Sequence, residues 1–281
     1  MPLYLATCTP LPEPDPDHDL LLDALASRGV SAQMIAWNAE APPQDGPVVL
    51  RSTWDYHHAL PAFLAWCAGC AALYNPLALA AWSAHKGYLL DLAGAGVPVV
   101  PTVLLPPGSA ATLAGAQAAL GWPDVVVKPA VGAGSWGAMR LRGLGDPGGE
   151  AHLAGLVAER GALIQPYMTE VEAEGERAVV WIDGQITHCV RKSPRLAGQA
   201  ESVSGARPVA PDEAEVVAAA LALAEARTGA RPLYARIDLV RDGRGRPRVM
   251  ELELLEPSLF LAQQPSALDR LAAALCRLVS G

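Results

Sequence analysis

The chain has 281 residues, 51% of them hydrophobic and 18% charged, enough to bury a sizeable core as one large domain or two to three smaller ones. A formal net charge of −8 and the lack of a basic run argue against a nucleic-acid-binding surface. No apolar run is long enough to span a bilayer, no charged-then-apolar leader opens the chain, and the five scattered cysteines fit reduced thiols, so a cytoplasmic protein with no membrane partner is expected.

Leu3–Thr7 reads as a short buried strand, followed by a Pro/Asp-rich loop, a helix over roughly Asp19–Arg28 stopped by Gly29, and a second strand at Val30–Trp37. That order begins an open α/β sheet. A third strand at Pro47–Leu50 runs directly into Arg51-Ser-Thr-Trp-Asp-Tyr56. Ligands of such sheets bind beyond the carboxyl ends of the strands. Arg51 offers a planar fork for a carboxylate, Asp55 a partner for an ammonium, and Trp54 or Tyr56 a shield against water. The plainer alternative is a loop in which Arg51 and Asp55 pair while the aromatics pack on a neighbouring domain. His57 and His58 lack companions at metal-ligand spacing and read as surface or supporting residues. Phe63–Leu73 reads as helix; Cys67-Ala-Gly-Cys70 within it has no second pair and reads as packing. Lys86 heads a further helix that ends at Gly94/Gly96, and Val97–Leu105 is extended and punctuated by proline.

Asp124–Pro129 is a strand ending in Lys128-Pro129, and a glycine-rich turn follows with Gly132, Gly134, Ser135 and Gly137. Such a turn can aim several backbone N–H groups at phosphate oxygens, and the lysine at the strand end strengthens that reading. It is neither a Walker A loop nor a dinucleotide fingerprint. Leu163–Met168 reads as a strand running into a hinge. Glu176–Ile182, Asp183-Gly184 and Gln185–Lys192 form the strongest hairpin signal. A tight turn there sets Ile182 opposite Gln185 and Glu176 opposite Arg191, a cross-strand ion pair, with Lys192 on the other face. The competing reading gives Glu176 to ribose hydroxyls and Arg191-Lys192 to phosphate. Arg195–Pro208 has the composition of a lid, Asp212–Thr228 is a long helix and Leu268–Val279 a closing one.

Two strands around the Arg241–Pro247 turn carry alternating acids: Arg236 and Asp238 share one face of the first, Glu251 and Glu253 one face of the second. Pairing them gathers Asp238, Glu251 and Glu253 on one polar face, where the carboxylates repel unless a cation lies between them. Oxygen ligands in that number suit Mg²⁺ or Mn²⁺. A solvated acidic hairpin is the equally weighted alternative.

In order, Lys86, Lys128-Pro129 with its glycine-rich turn, Gln165 at a hinge, Gly175-Glu176, Arg191-Lys192, Asp238 and Glu251-x-Glu253 resemble the ATP-grasp superfamily of carboxylate–amine ligases, on the glutathione synthetase and ribosomal-protein glutamate ligase side. Arg51–Tyr56, Gly175-Glu-Arg, Asp183-Gly184, His188 to Lys192 and Glu256-Pro-Ser258 look like the group containing the cyclo-ligase that closes O-ureidoserine to cycloserine.

The resemblance implies an α/β ATP-grasp fold, with an N-terminal open α/β substrate domain over 1–82 and two α+β subdomains, 83–168 and 169–281, clasping ATP. It gives Lys86 and Lys128 to the α- and β-phosphates and the 132–137 turn to covering them. Gln165 with the backbone of Tyr167 and Met168 goes to adenine, Glu176 to ribose, and Asp238, Glu251 and Glu253 to two Mg²⁺, with Mn²⁺ as a substitute. Arg191, Lys192 and Arg236 are the catalytic cations, the choice of Arg191 or Lys192 for the γ-phosphate staying open. Arg51, Asp55, Glu256 and Ser258 would hold the substrate. Glu253 stands where many relatives have asparagine. The implied reaction turns a small carboxylate, amino-acid-like, into an acylphosphate that an amine attacks. A homodimer or homotetramer is compatible with it. A small-molecule kinase and a nucleotide-sensing binding protein are the rival readings.

Overall fold

The computed structural model describes residues 1–193 and 202–280, so the first part of the expected lid, residues 195–201, lies outside the described residues. Twelve strands fall into three four-stranded sheets. The first contains β1 (Leu3–Thr7), β2 (Ala32–Ala36), β3 (Pro47–Ser52) and β4 (Ala72–Tyr74), all parallel, in the order β2-β1-β3-β4. The helices α1 (His18–Ala26), α2 (Leu60–Gly69) and α3 (Leu77–Ser83) accompany it. The helix expected over Phe63–Leu73 is thus shifted: it starts earlier, with Pro61 in its first turn, and gives way to β4 after Cys70, where the backbone is extended.

The helix expected to start at Lys86 begins two residues later, as α4 (Tyr88–Gly94). The second sheet has the order β5-β8-β6-β7, from β5 (Val103–Leu105), β6 (Val125–Pro129), β7 (Met139–Leu141) and β8 (Ala162–Pro166), with α5 (Leu113–Leu120) and α6 (Pro147–Glu159) over it. After the short α7 (Glu170–Glu174) comes the third sheet, β10-β9-β11-β12, from β9 (Glu176–Ile182), β10 (Gln185–Lys192), β11 (Tyr234–Arg241) and β12 (Pro247–Glu253). Two further helices complete the chain, α8 (Pro211–Thr228) and α9 (Pro265–Ser280).

The third sheet organises the molecule because both its faces are used. On one, Val179, Trp181, Ala235, Ile237 and Leu252 pack against Val217, Ala220 and Ala224 of α8 and Leu89 and Leu92 of α4. On the other, Ala178, Val180, Ile182, Val190 and Tyr234 meet α9 and Leu3, Leu5 and Val49 of the first sheet. The apolar half of that second face thereby anchors the N-terminal sheet, and its other half is left for polar residues.

Asn75, fully buried just after β4, fastens this junction: its amide donates to the carbonyls of Tyr234 and Leu254, 2.8 Å each, and its oxygen accepts from Leu233 N–H. Removing it leaves three buried backbone groups without partners. Asn75→Ala should therefore lower the unfolding free energy by about 2–4 kcal/mol, measured by urea denaturation; a loss under about 0.5 kcal/mol would show that the junction is held by apolar packing alone.

Candidate active site

β11 and β12 pair with Arg236 opposite Glu253 and Asp238 opposite Glu251, so the register brings the three carboxylates to one face. A bulge after Asp238 then moves β12 by one residue: Leu239 faces Val249, and Met250 is the extra residue. Met250 sits with Tyr167 and Met168 beside Val100, Val171 and Val240, a small apolar cluster at the hinge that the alternating pattern gave no reason to expect.

The β9–β10 register differs from the expected one. The turn does set Gln185 opposite Ile182, but a bulge between Ile186 and His188 adds a residue to β10, Thr187, whose hydroxyl donates to Val180 O. Everything beyond it changes faces. Lys192, not Arg191, lies opposite Glu176, and Arg191 lies opposite Arg177. The expected Glu176–Arg191 ion pair is therefore replaced by Lys192–Glu176 at 3.0 Å. Arg191 is turned away, its guanidinium donating to the carbonyls of Glu174 and Ala173.

Four cations meet four carboxylates on this face. Lys86 and Lys128 reach Glu251 at 3.1 and 2.7 Å. Lys192 bridges Glu176 and Asp238, the latter at 2.6 Å, and Arg236 holds Asp238 through Nε at 2.9 Å and also pairs with Glu253. Lys128 ends β6, and Lys86 is fixed in the turn before α4 by its N–H donating to Ala130 O at 2.7 Å. Tyr88 closes the back of the site by accepting from Leu252 N–H at 3.1 Å. Its position two residues after Lys86 was the only hint of it in the sequence.

Burial opposes ionisation of Glu251, yet Lys128 and Lys86 together hold its carboxyl well below the ordinary range. Burial is likewise overcome at Asp238, which Arg236 and Lys192 keep low, and at Lys192, which Asp238 and Glu176 keep high. Glu253 shows the opposite balance: burial and the nearby Asp238 outweigh Arg236 and push its carboxyl up to about 7. For Glu256 burial, aided by Glu253, raises it to about 8.

The glycine-rich turn takes left-handed backbone at Gly134, Ser135 and Gly137, with φ of 56°, 61° and 67°. Gly132 is needed for close approach: a Cβ there would stand 3.0 Å from the Pro129 ring. Trp136 at the turn's tip stacks on His57, ring centroids 4.8 Å apart, and Arg160 lies over it. His57, expected at the surface, is buried beneath that ring, and burial lowers its pKa to about 4. Gln165 is buried on β8 and donates to Thr102 Oγ1 at 2.8 Å. Tyr167, whose ring carries the Arg140 guanidinium 3.4 Å from its centroid, and Met168 follow at the hinge.

The Arg51–Tyr56 loop is built differently from the open receptor expected. Arg51 is 3% exposed; its fork reaches Asp17 at 3.4 Å and donates to Pro257 O. Asp55 accepts from Trp37 Nε1 at 2.6 Å and Asn38 Nδ2 at 2.7 Å, so it pairs neither with Arg51 nor with any other cation among the described residues. Both act as braces in the protein's own framework. Ser258 gives its carbonyl to Arg236, and Glu256 is buried close by.

With this geometry established, comparison with known proteins places the chain. The family model for the N-terminal domain of D-cycloserine synthetase DcsG matches residues 3–78. The cycloserine biosynthesis protein DcsG of Streptomyces lavendulae is 35% identical over 92% of this chain and 93% of its own length. The chain belongs to the D-cycloserine synthetase family. The crystal structure of D-cycloserine synthetase DcsG superposes with a TM-score of 0.89 at 32% identity, covering 99% of this chain and 100% of that one. The ATP-grasp ligase PsnB, solved with a phosphomimetic variant of its minimal precursor, Mg and ADP, shares the fold: TM-score 0.63, 17% identity, 99% and 98% coverage. The expected ATP-grasp fold is thus the observed one, and membership of the D-cycloserine synthetase family makes the chain an ATP-dependent ligase rather than a kinase or a nucleotide sensor.

Among the described residues, no three or more His, Cys, Asp or Glu side chains are arranged to hold a metal ion, because Asp238, Glu251 and Glu253 are turned onto ammonium and guanidinium groups. Their donor chemistry nevertheless fits a hard divalent cation, being oxygen only and concentrated on paired strand positions.

The raised carboxyls have a consequence for stability. Glu256 binds a proton in the folded chain up to about pH 8 and loses it above an ordinary value of 4.5 once unfolded. Between those values the folded state holds more protons, so this group makes stability fall as pH rises. Relative to the unmodified protein, Glu256→Gln should gain about 1 kcal/mol of unfolding free energy per pH unit from pH 5 to 7.5. Chemical denaturation at four pH values measures this; a difference that stays constant with pH would mean that Glu256 is solvated in the folded chain.

Proposed function

We propose that this chain is an ATP- and Mg²⁺-dependent, ADP-forming ligase. It activates the carboxylate of a small amino-acid-like molecule as an acylphosphate, and a nitrogen of the same molecule then closes an amide ring, as in the conversion of O-ureidoserine to cycloserine. The observation that carries this reading is the convergence of Lys86, Lys128, Lys192 and Arg236 on the carboxylates of one sheet face, in a chain 35% identical to a cycloserine biosynthesis protein.

Lys86 and Lys128 bind the α- and β-phosphates, and the turn containing Gly132, Gly134, Ser135 and Gly137 covers them with backbone N–H groups. Adenine lies at the hinge, on the apolar cluster that includes Met168 and Met250 and against Gln165 and the Tyr167 backbone, with Glu176 on the ribose. Asp238, Glu251 and Glu253 hold Mg²⁺, which supplies charge neutralisation to the transferring phosphoryl group. Lys192 faces that group because the β10 bulge turns it to the metal side, and Arg236, one pair further along, stabilises the acylphosphate oxygens. The residues of 1–82 close the substrate end, and the two later sheets clasp the nucleotide. The PsnB complex with Mg and ADP, which has the same fold, supports the choice of ligands.

The bulge makes the reading testable at one pair of neighbours. With ATP, Mg²⁺ and O-ureidoserine the protein should release ADP and form a cyclic product detectable by mass spectrometry. Lys192→Ala should lower kcat by about 100-fold or more, while Arg191→Ala should change it by less than about threefold. Equal losses in both variants would mean that the phosphate-facing side of β10 has been misassigned. An absence of ADP release with any small amino acid would overturn the ligase reading itself.

A further inference from the structure

The segment after β12 is held by an unusual run of side-chain donors. The carbonyl of Leu255 accepts from Tyr234 Oη at 2.8 Å, that of Glu256 from Trp54 Nε1 at 2.9 Å, that of Pro257 from Arg51 Nη1 at 3.3 Å, and that of Ser258 from Arg236 Nη1 at 3.2 Å. Asp17 extends the clamp by accepting from the N–H groups of Leu259 and Leu261, at 2.6 and 2.8 Å. Four consecutive carbonyls and two amides are thus fixed from β3, the loop after it, β11 and the start of α1. A backbone so over-determined presents its side chains in one orientation.

The Glu256 side chain is the exception within this clamp. It is 7% exposed, yet among the described residues no side chain donates to its carboxyl and no cation pairs with it. The other buried acids all have partners: Asp17 faces Arg51, Glu213 faces Arg177 and Arg241, and Asp238 faces Lys192 and Arg236. Tyr56 repeats the pattern, 4% exposed with a hydroxyl that bonds to nothing among the described residues. The two groups share one space: Glu256 acts electrostatically on Tyr56, and Glu253 acts on both. Lys86 lies within reach of Glu256 without pairing with it. A buried carboxyl is costly without a countercharge, and a buried hydroxyl without a hydrogen bond. Both deficits are met by one ligand, a group with positive charge and several N–H donors.

We infer that Glu256, assisted by the Tyr56 hydroxyl, receives the ammonium group of the substrate, so that the chain selects amino acids with a free α-amine. This rests on the ligase reading and deepens it. The ammonium supplies the missing charge to Glu256 and a donor to Tyr56. The substrate's carboxylate is then directed back along β12, past Glu253, toward Arg236 and Lys192. Arg51 and Trp54 act through the clamp as positioning residues, which explains why the loop after β3 bears on the substrate while its own charges are used internally. A small α-ammonium fits this enclosure; an acylated nitrogen brings neither the charge nor the donors.

The test compares ADP release by the unmodified protein with O-ureidoserine, serine and alanine, each beside its N-acetyl derivative. At least one free amine should be used, and its N-acetyl form should have kcat/KM lower by about 30-fold or more. Glu256→Gln should raise KM for that free amine by about 30-fold while KM for ATP changes less than twofold, and it should cause no further loss with the N-acetyl form. Tyr56→Phe, a milder change if Glu256→Gln folds poorly by circular dichroism, should raise the same KM by about three- to tenfold. Equal use of free and acetylated substrates by the unmodified protein would overturn the inference and leave the ligase reading standing. So would a Glu256→Gln variant whose defect is a shift in Mg²⁺ half-saturation, which would make Glu256 a metal ligand. If no compound releases ADP, the ligase reading fails and the inference falls with it.

Discussion

Burying acids on a sheet is expensive, at several kcal/mol per ion even after relaxation, and the cost is recovered only where opposite charges arrive in good geometry. Here the carboxylates come from the third sheet, at Glu176, Asp238, Glu251 and Glu253, while two of the answering cations come from elsewhere. Lys128 comes from the end of β6 in the second sheet and Lys86 from the turn before α4. Glu251 cannot stay ionised and buried unless those two elements are docked correctly, so the charge cluster links the packing of three parts of the chain. The same arrangement is a site in waiting. Ammonium groups that neutralise carboxylates in the empty cleft are the groups needed on phosphate oxygens once a divalent cation takes the carboxylates.

The N-terminal sheet contributes through backbone geometry. Asn75 pins it to β11 and to Leu254 beyond β12, and Arg51, Trp54 and Asp17 fix the chain from Glu256 to Leu261. The loop after β3 carries the residues that looked most like a substrate receptor, yet Arg51 and Asp55 are spent on internal bonds. Their effect on substrate is transmitted to a neighbouring acid that they hold in place. This is a common division of labour between a rigid scaffold and the group it presents.

Much of this was legible in the residues alone. The alternation Arg236/Asp238 and Glu251/Glu253 placed the acids on one face, and the short Arg241–Pro247 turn brought the two strands together. Strand–helix–strand order identified the first sheet, and Gly132 to Gly137 identified a turn needing left-handed backbone. What failed depended on features that leave no local mark. A bulge is a single extra residue, and Thr187 looks like any other strand position, so alternation carried through it assigned Arg191 and Lys192 to the wrong faces. The start of α4 after Lys86 is set by the tertiary bond from Lys86 N–H to Ala130 O, far away in sequence. The isolation of Glu256 is likewise a property of everything packed around it.

The central claim is that the charge cluster exchanges its internal partners for nucleotide and metal. A crystal structure of the protein with a non-hydrolysable ATP analogue and Mg²⁺ tests this most directly. The account predicts that Lys86 and Lys128 leave Glu251 for phosphate oxygens while Asp238, Glu251 and Glu253 turn to the metal. Nucleotide bound elsewhere, with the Lys86–Glu251 and Lys128–Glu251 pairs still at 3.1 and 2.7 Å, would contradict it.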